Sequence, residues 1–131
     1  MSEIFDNEGN LLGLIIKSNS ISDEKYFATK NSQEMQVAAF NLKKNTKIDN
    51  HIHIDQKREI NSTSEVIVVL EGLIKVNIFD KDLNLITSEE LTKGDTVALF
   101  QGGHGIEVIE DAKFVEAKQG PYLEDMDKKR F

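Results

Sequence analysis

Apolar residues in this chain fall into short runs that are separated by polar turns. Within several runs apolar and polar positions alternate, which is typical of β-strands because successive side chains of a strand point to opposite faces. Clusters of turn-forming residues, such as residues 6–10, 80–84 and 93–95, separate the runs. No stretch keeps a helical period, although residues 32–39 are ambiguous. The pattern therefore predicts an all-β protein, either a barrel or a sandwich.

The apolar runs also place the expected strands along the chain. They cover residues 4–5, 11–16, 35–42, 48–54, 65–70, 73–79, 85–89, 96–100, 106–109 and 113–118. No repeat or linker interrupts this series, so we expect a single domain over residues 1–131. Within it we expect an N-terminal arm over residues 1–30, a core over 35–118 and a C-terminal tail over 119–131.

The expected strand that begins at Glu65 is apolar on both faces. If Glu65 points toward the interior, Ile67 and Val69 do so too, because side chains alternate along a strand. The outer face then carries three apolar residues, Val66, Val68 and Leu70. An apolar outer face needs a cover, which either the N-terminal arm or a second subunit would provide.

Composition narrows the class of protein. The length of 131 residues suits one domain with a real core. The net charge of −7 argues against nucleic-acid binding, which needs a basic surface. The absence of cysteine excludes disulfides and thiolate metal sites. No apolar run is long enough to span a membrane and the N-terminus does not resemble a secretion signal, so we expect a cytoplasmic protein.

The three histidines of the chain stand where a metal site would need them. His51 and His53 would share one face of an expected strand. Glu65 begins an apolar strand, and His104 lies in the glycine-rich stretch at residues 101–105. Three imidazoles and one carboxylate that converge from separate strands would bind a divalent transition metal.

These residues resemble the two motifs of the cupin superfamily. The first motif of that family, G(X)5HXH(X)3-4E(X)6G, is matched in part: His51 and His53 form its histidine pair, and Glu65 with six residues before Gly72 matches its second half. The second, G(X)5PXG(X)2H(X)3N, is partly matched up to His104, with Phe100 where proline is usual and without the final asparagine. The likeness covers about residues 35–118. It implies a cupin-type double-stranded β-helix, a jelly-roll barrel with metal ligands His51, His53, Glu65 and His104.

The stretch between His53 and Glu65 departs from the family pattern. It contains eleven residues instead of three or four, so it must loop out. Asp55 and Glu59 lie in that loop and compete with Glu65 as the carboxylate ligand. We favour Glu65, because its distance to Gly72 fits the family spacing and because it opens a strand.

Such a ligand set suits Fe, Mn, Ni, Co or Zn and leaves coordination positions open for water or a chelating substrate. The resemblance suggests a metal-dependent enzyme of isomerase or dioxygenase type, acting on a small polar molecule such as a sugar derivative or an oxoacid. Two alternatives stay open. One is a non-catalytic module that binds a small molecule, and the other is a metal-free sugar epimerase or isomerase of the same fold.

Four further side chains are candidates near such a site. Glu116 or Lys118 would act as a general base or an anchor, unless both are solvated or paired with each other. Tyr122 would close or plug the mouth of the barrel. Arg58 would clamp an anionic group of a ligand, unless it is an ordinary exposed arginine. Since sheet-to-sheet homodimers are common in the cupin superfamily, we also expect a homodimer, the alternative being a monomer covered by residues 1–30.

Overall fold

The computed structural model describes all 131 residues and confirms the all-β prediction. Strands account for 45% of the chain, and the only helical segment is the three-residue 3-10 turn Ser18–Ser20. No helix is therefore long or apolar enough to cross a membrane. The strands are β1 (Ser2–Phe5), β2 (Leu11–Ile16), β3 (Lys25–Phe27), β4 (Ala38–Phe40), β5 (Glu65–Phe79), β6 (Leu85–Thr92), β7 (Thr96–Leu99) and β8 (Gly103–Lys118).

All strand pairs are antiparallel, and they form one large and one small sheet. The large sheet has the order β1-β2-β7-β5-β6, and β8 pairs with β5 outside this path. The small sheet contains only β3 and β4. The sheets do not close into a barrel.

The long strand β5 belongs to both halves of the large sheet. Its first part pairs with β7 from Glu65 to Val68, and its second part pairs with β6 from Leu73 to Phe79. Strand β8 accompanies both parts on the other side. A straight strand of 15 residues would measure roughly 50 Å. Instead, the register of β5 and β8 shifts three times in succession between Val69 and Ile74, and the strand pair bends there.

Gly72 lies at the centre of this bend. Its φ is +81°, and an added Cβ would lie 2.0 Å from the carbonyl oxygen of Asp111 and 2.8 Å from the Cα of Ala112. Asp111 and Ala112 together face this one glycine, since Glu71 pairs with Lys113 and Leu73 with Glu110. The sequence predicted separate strands over residues 65–70 and 73–79, and again over 106–109 and 113–118. The prediction of separate strands is wrong, because bulges bend both chains without reversing them.

The main hydrophobic core lies between the two halves that the bend brings together. Ile67 and Val69 point inward from the first part of β5, as the alternation predicted, and both are fully buried. Before the bend the inward-facing residues have odd numbers, and after it they have even numbers. They are then Ile74, Val76 and Ile78, which are also fully buried. The other buried members of this core are Ile4, Leu12, Ile15, Leu91, Val97 and Leu99.

A second core covers the outer face of the first half. It contains Leu14, Ile16, Ala28, Val37, Ala98 and Phe100. Val66 is half-buried against this cluster. Residues of the N-terminal third therefore cover the start of the outer face of β5, whereas Leu70 remains 46% exposed.

Asp95 fastens the turn between β6 and β7 to the end of β2. Its buried carboxylate accepts hydrogen bonds from the backbone N–H groups of Thr92 and Ser18, both at 3.0 Å. The Lys17 ammonium lies 3.1 Å from the same carboxylate. Burial alone would raise the pKa of Asp95, but these donors outweigh it and hold the pKa below its ordinary value. Asp95 is therefore an ionised anchor of a tight turn that the sequence predicted.

Residues 41–64 form no strand, so the prediction of a strand over 48–54 is wrong for this structure. The side chains that should have alternated are both on the surface, with Ile52 89% and Ile54 80% exposed. The segment is instead held near its end by Glu34, whose carboxylate accepts the backbone N–H groups of Asn61 and Ser62. Without a neighbouring strand to pair with, the apolar alternation alone does not produce one.

Candidate functional site

Glu65 and His104 meet at one end of the sandwich. The His104 Nε2 atom lies 2.6 Å from the Glu65 Oε1 atom. Along the sheet the two residues are far apart, because Glu65 pairs with Lys118 whereas His104 pairs with Ile78, thirteen positions further along β5. The bend at Gly72 turns the inner faces of the two halves toward each other, and this brings the carboxylate and the imidazole into contact.

The Glu65 carboxylate is ionised in a largely buried position. Its side chain is only 8% exposed, against 35% for His104. Contact with the His104 imidazole holds the pKa of Glu65 below its ordinary value, while burial acts in the opposite direction. The positive charges of Lys118 and Lys128 lower the pKa further. Glu65 is therefore a largely buried anion with positive charges nearby.

One atom of this pair has an unusual environment. Despite the short distance to His104, the buried Oε1 atom of Glu65 has no partner that satisfies hydrogen-bond geometry. A buried polar atom is normally hydrogen-bonded, because an unmet oxygen costs about 1–3 kcal/mol. Either an aligned imidazole N–H or a bound cation would satisfy this oxygen. A carboxylate oxygen and an imidazole nitrogen side by side are also two ligands of the kind that transition metals prefer.

His51 and His53 lie elsewhere, in the exposed irregular segment 41–64. Their ring centroids are 5.3 Å apart and the rings are nearly perpendicular. The Nδ1 atom of His51 lies 2.8 Å from the carbonyl oxygen of Asp49. No three His, Asp or Glu side chains lie close enough together to hold one metal ion. Of the four predicted ligands, the structure brings together only Glu65 and His104.

The competing candidates of the loop are also on the surface. Asp55 and Glu59 are exposed. Arg58 donates a long hydrogen bond of 3.4 Å to Gln56 and is exposed as well. A shallow concavity is lined by His53, Ile54, Asp55, Gln56 and Arg58. The structure therefore does not place Asp55 or Glu59 beside His104. It also does not place Arg58 near Glu65, where it could bind an anionic group of a ligand.

The candidates on β8 share the inner face with Glu65. Register partners in a sheet point to the same side, and Glu116 pairs with Ile67 just as Lys118 pairs with Glu65. Glu116 is nevertheless exposed, because β8 pairs with no strand on its other side. Glu116 and Lys118 do not form the mutual ion pair that the sequence left open.

Lys118 is partly buried and already bound by the C-terminal tail. Its ammonium lies 2.9 Å from the Asp127 carboxylate and 5.1 Å from the centre of the Tyr122 ring. Sequence reasoning missed that Asp127 and Phe131 attach the C-terminal tail to the sheet, because the closing run of charges is typical of a solvated end. Nothing in the local pattern distinguishes a solvated tail from one that folds back on the sheet.

The fold and the site together define an antiparallel β-protein in which a buried carboxylate contacts a partly exposed imidazole. Ionised Glu65 and the His104 imidazole can ligate a cation, or they can exchange a proton with a bound molecule. No protein-family model, curated protein or solved structure matches the chain.

Proposed function

We propose that this protein is a metal-binding protein of the cupin type, in which Glu65 and His104 are the preformed half of a transition-metal site. The observation that carries the proposal is the buried Oε1 atom of Glu65, which lies 2.6 Å from His104 Nε2 and has no aligned hydrogen-bond donor. A cation bound by both side chains would satisfy that oxygen. Fe, Mn, Ni, Co and Zn all accept an imidazole nitrogen and a carboxylate oxygen as ligands.

In this proposal His51 and His53 complete the site when segment 41–64 moves. The eleven residues between His53 and Glu65 span up to roughly 36 Å when extended, so chain length does not prevent the approach. The segment has exposed side chains and forms few backbone hydrogen bonds, and such segments rearrange at low cost. The unpaired side of β8 would accept the incoming strand and bring the large sheet closer to the jelly-roll barrel of the family.

The activity that we propose is that of a metal-dependent enzyme of isomerase or dioxygenase type, with a small polar substrate such as a sugar derivative or an oxoacid. A metal held there would supply a Lewis acid beside the open end of the sandwich. The carboxylate of Glu65 would offset part of the positive charge of the ion, and His104 would contribute one neutral nitrogen ligand. The apolar core behind the pair excludes water from one side of the site.

The metal content of untagged protein, purified without a chelator or a metal column, tests the proposal. We expect about one transition-metal ion per chain in the wild type, after soaking with each ion if necessary. His104→Ala, Glu65→Gln and His51→Ala should each lose most of it. Glu116→Gln is the matched control, since it neutralises an exposed carboxylate on the same inner face. Full occupancy in His104→Ala, with the fold verified by circular dichroism, would contradict the site.

A second candidate function uses the same contact without a metal. An ionised carboxylate against an imidazole is also an acid–base pair, as a metal-free sugar epimerase or isomerase would need. A protein that binds no metal ion but loses affinity for a sugar derivative or an oxoacid on His104→Ala would favour this alternative over the metal site. Binding without turnover would instead indicate a non-catalytic small-molecule-binding module.

We also propose that the protein is a homodimer. The N-terminal third covers the outer face of β5 only as far as Val66. Further along that face, Leu70 is 46% exposed and Val115, the register partner of Val68, is 54% exposed. A second copy seated there would bury this apolar surface. Analytical ultracentrifugation should give the mass of two chains, and Val115→Asp should give that of one; a monomeric wild type would refute the dimer.

A further inference from the structure

The C-terminal tail, residues 119–131, crosses the open end of the sandwich. It leaves β8 at Lys118, which is the register partner of Glu65. It ends at Phe131, whose ring packs edge-on against Phe79 with centroids 5.1 Å apart. Phe131 also touches Gly103, the residue immediately before His104. The two ends of the tail are thus anchored beside the two members of the Glu65–His104 pair.

The anchors of the tail are specific contacts. Near its end, Asp127 of the tail forms an ion pair with Lys118 of β8, and this pair is largely buried, with side-chain exposures of 9% and 19%. At its end, an added Cβ on Gly103 would lie only 2.7 Å from the Phe131 ring. The absence of a side chain at residue 103 is therefore what admits the ring. Before Asp127 the tail is irregular, and Met126 is 82% exposed.

We propose that the tail is a strap that closes over the Glu65–His104 pair and controls access to it. Beyond the backbone hydrogen bond from Gln119 to Ser64 and the contact of Tyr122 with Lys118, the strap is held by the ion pair and the Phe131 ring, so it can open without unfolding either core. Closed, it leaves Glu65 nearly inaccessible and His104 one-third exposed. Open, it exposes both groups to a metal ion or a small ligand. What the open strap admits to the pair rests on the proposed function, whereas the opening and closing of the strap does not.

Chemical modification of the histidines tests the strap in the full-length protein without any metal. Diethyl pyrocarbonate modifies accessible imidazoles, and peptide mass spectrometry gives a separate rate for each of the three histidines. Phe131→Ala and Asp127→Asn should raise the rate at His104 roughly two- to tenfold, the factor expected when one aromatic pair or ion pair no longer opposes a local opening. The rates at His51 and His53, which lie in the exposed segment, should not change.

Two matched variants separate the strap from general loosening. Gly103→Ala should expel the Phe131 ring and raise the rate at His104, whereas Gly105→Ala adds a methyl group in open space and should not. Met126→Ala, in the exposed part of the tail, should also leave the rate unchanged. Near-ultraviolet circular dichroism and urea unfolding verify that each variant is folded.

The outcome separates this inference from the proposed function. An unchanged His104 rate in folded Phe131→Ala and Asp127→Asn would overturn the strap, whether or not Zn²⁺ binds. A raised rate in proteins that fail to bind Zn²⁺ would support the strap and remove the metal site. A raised rate together with faster Zn²⁺ uptake in Phe131→Ala would support both.

Discussion

Gly72→Ala is the most informative single perturbation of this fold. The substitution adds one methyl group at the centre of the bend that turns the two halves of the sandwich toward each other. Two separate penalties arise there. The φ of +81° is unfavourable for a residue with a Cβ, and the new Cβ would lie 2.0 Å from the carbonyl oxygen of Asp111. Because the contacted atoms are backbone, no side-chain rotation relieves the contact, and β5 and β8 must separate.

The two penalties can be weighed from the structure. The left-handed backbone costs about 1 kcal/mol for an L-residue. Forcing a methyl group into a filled space adds about 1–3 kcal/mol. We therefore expect a loss of about 3 kcal/mol in the free energy of unfolding, a large share of the 5–15 kcal/mol typical of a domain.

Two other glycines separate the contributions. Gly9 has a φ of +83° with nothing within 4 Å of an added Cβ, so Gly9→Ala reports the backbone penalty alone. At Gly105 neither penalty applies, and Gly105→Ala should be nearly neutral. With a urea m-value of about 2 kcal/mol/M, the midpoint should fall by about 1.5 M for Gly72→Ala and about 0.5 M for Gly9→Ala. Equal midpoints for these two variants would refute the close approach of Asp111 and with it the bend.

Two further predictions concern the anchor at Asp95 and the main core. Asp95→Asn should destabilise the protein at pH 7, and the difference from the wild type should shrink as the pH falls below 3.8, the ordinary pKa of the group. The reason is that a carboxyl whose pKa is lowered by folding stabilises the fold above its unfolded pKa and loses this effect as the pH falls through its folded pKa. Urea unfolding of both proteins between pH 7 and pH 2.5 checks this, and a difference that grows toward acid would contradict it. Ile74→Ala should cost about 2–5 kcal/mol because the side chain is fully buried, whereas Ile109→Ala, 47% exposed, should cost distinctly less in the same assay.

The features that the sequence determined by itself are local. The turns at residues 6–10 and 80–84 form as predicted because Asp6 and Asp80 each accept backbone N–H groups from residues two and four positions ahead. Such bonds depend only on neighbours in the chain. The inward orientation of Ile67 and Val69 followed from strict alternation in the same way. That prediction assumed that Glu65 points inward, and Glu65 is indeed buried.

The tertiary structure decided everything that depends on distant residues. Whether Gly72 ends a strand or bends one depends on its contact with Asp111, which lies 39 positions later in the chain. No pattern in the residues around Gly72 predicts that contact. The contact between Glu65 and His104 exists only because that bend turns the inner faces of the two halves of the strand pair toward each other. Residues 48–54 have no neighbouring strand to pair with, so their apolar side chains are exposed. The charged tail lies over the site because the ring of Phe131 packs beside Gly103, which has no side chain. Local hydrogen bonds and alternation are encoded residue by residue, whereas pairing and packing depend on which distant segments meet.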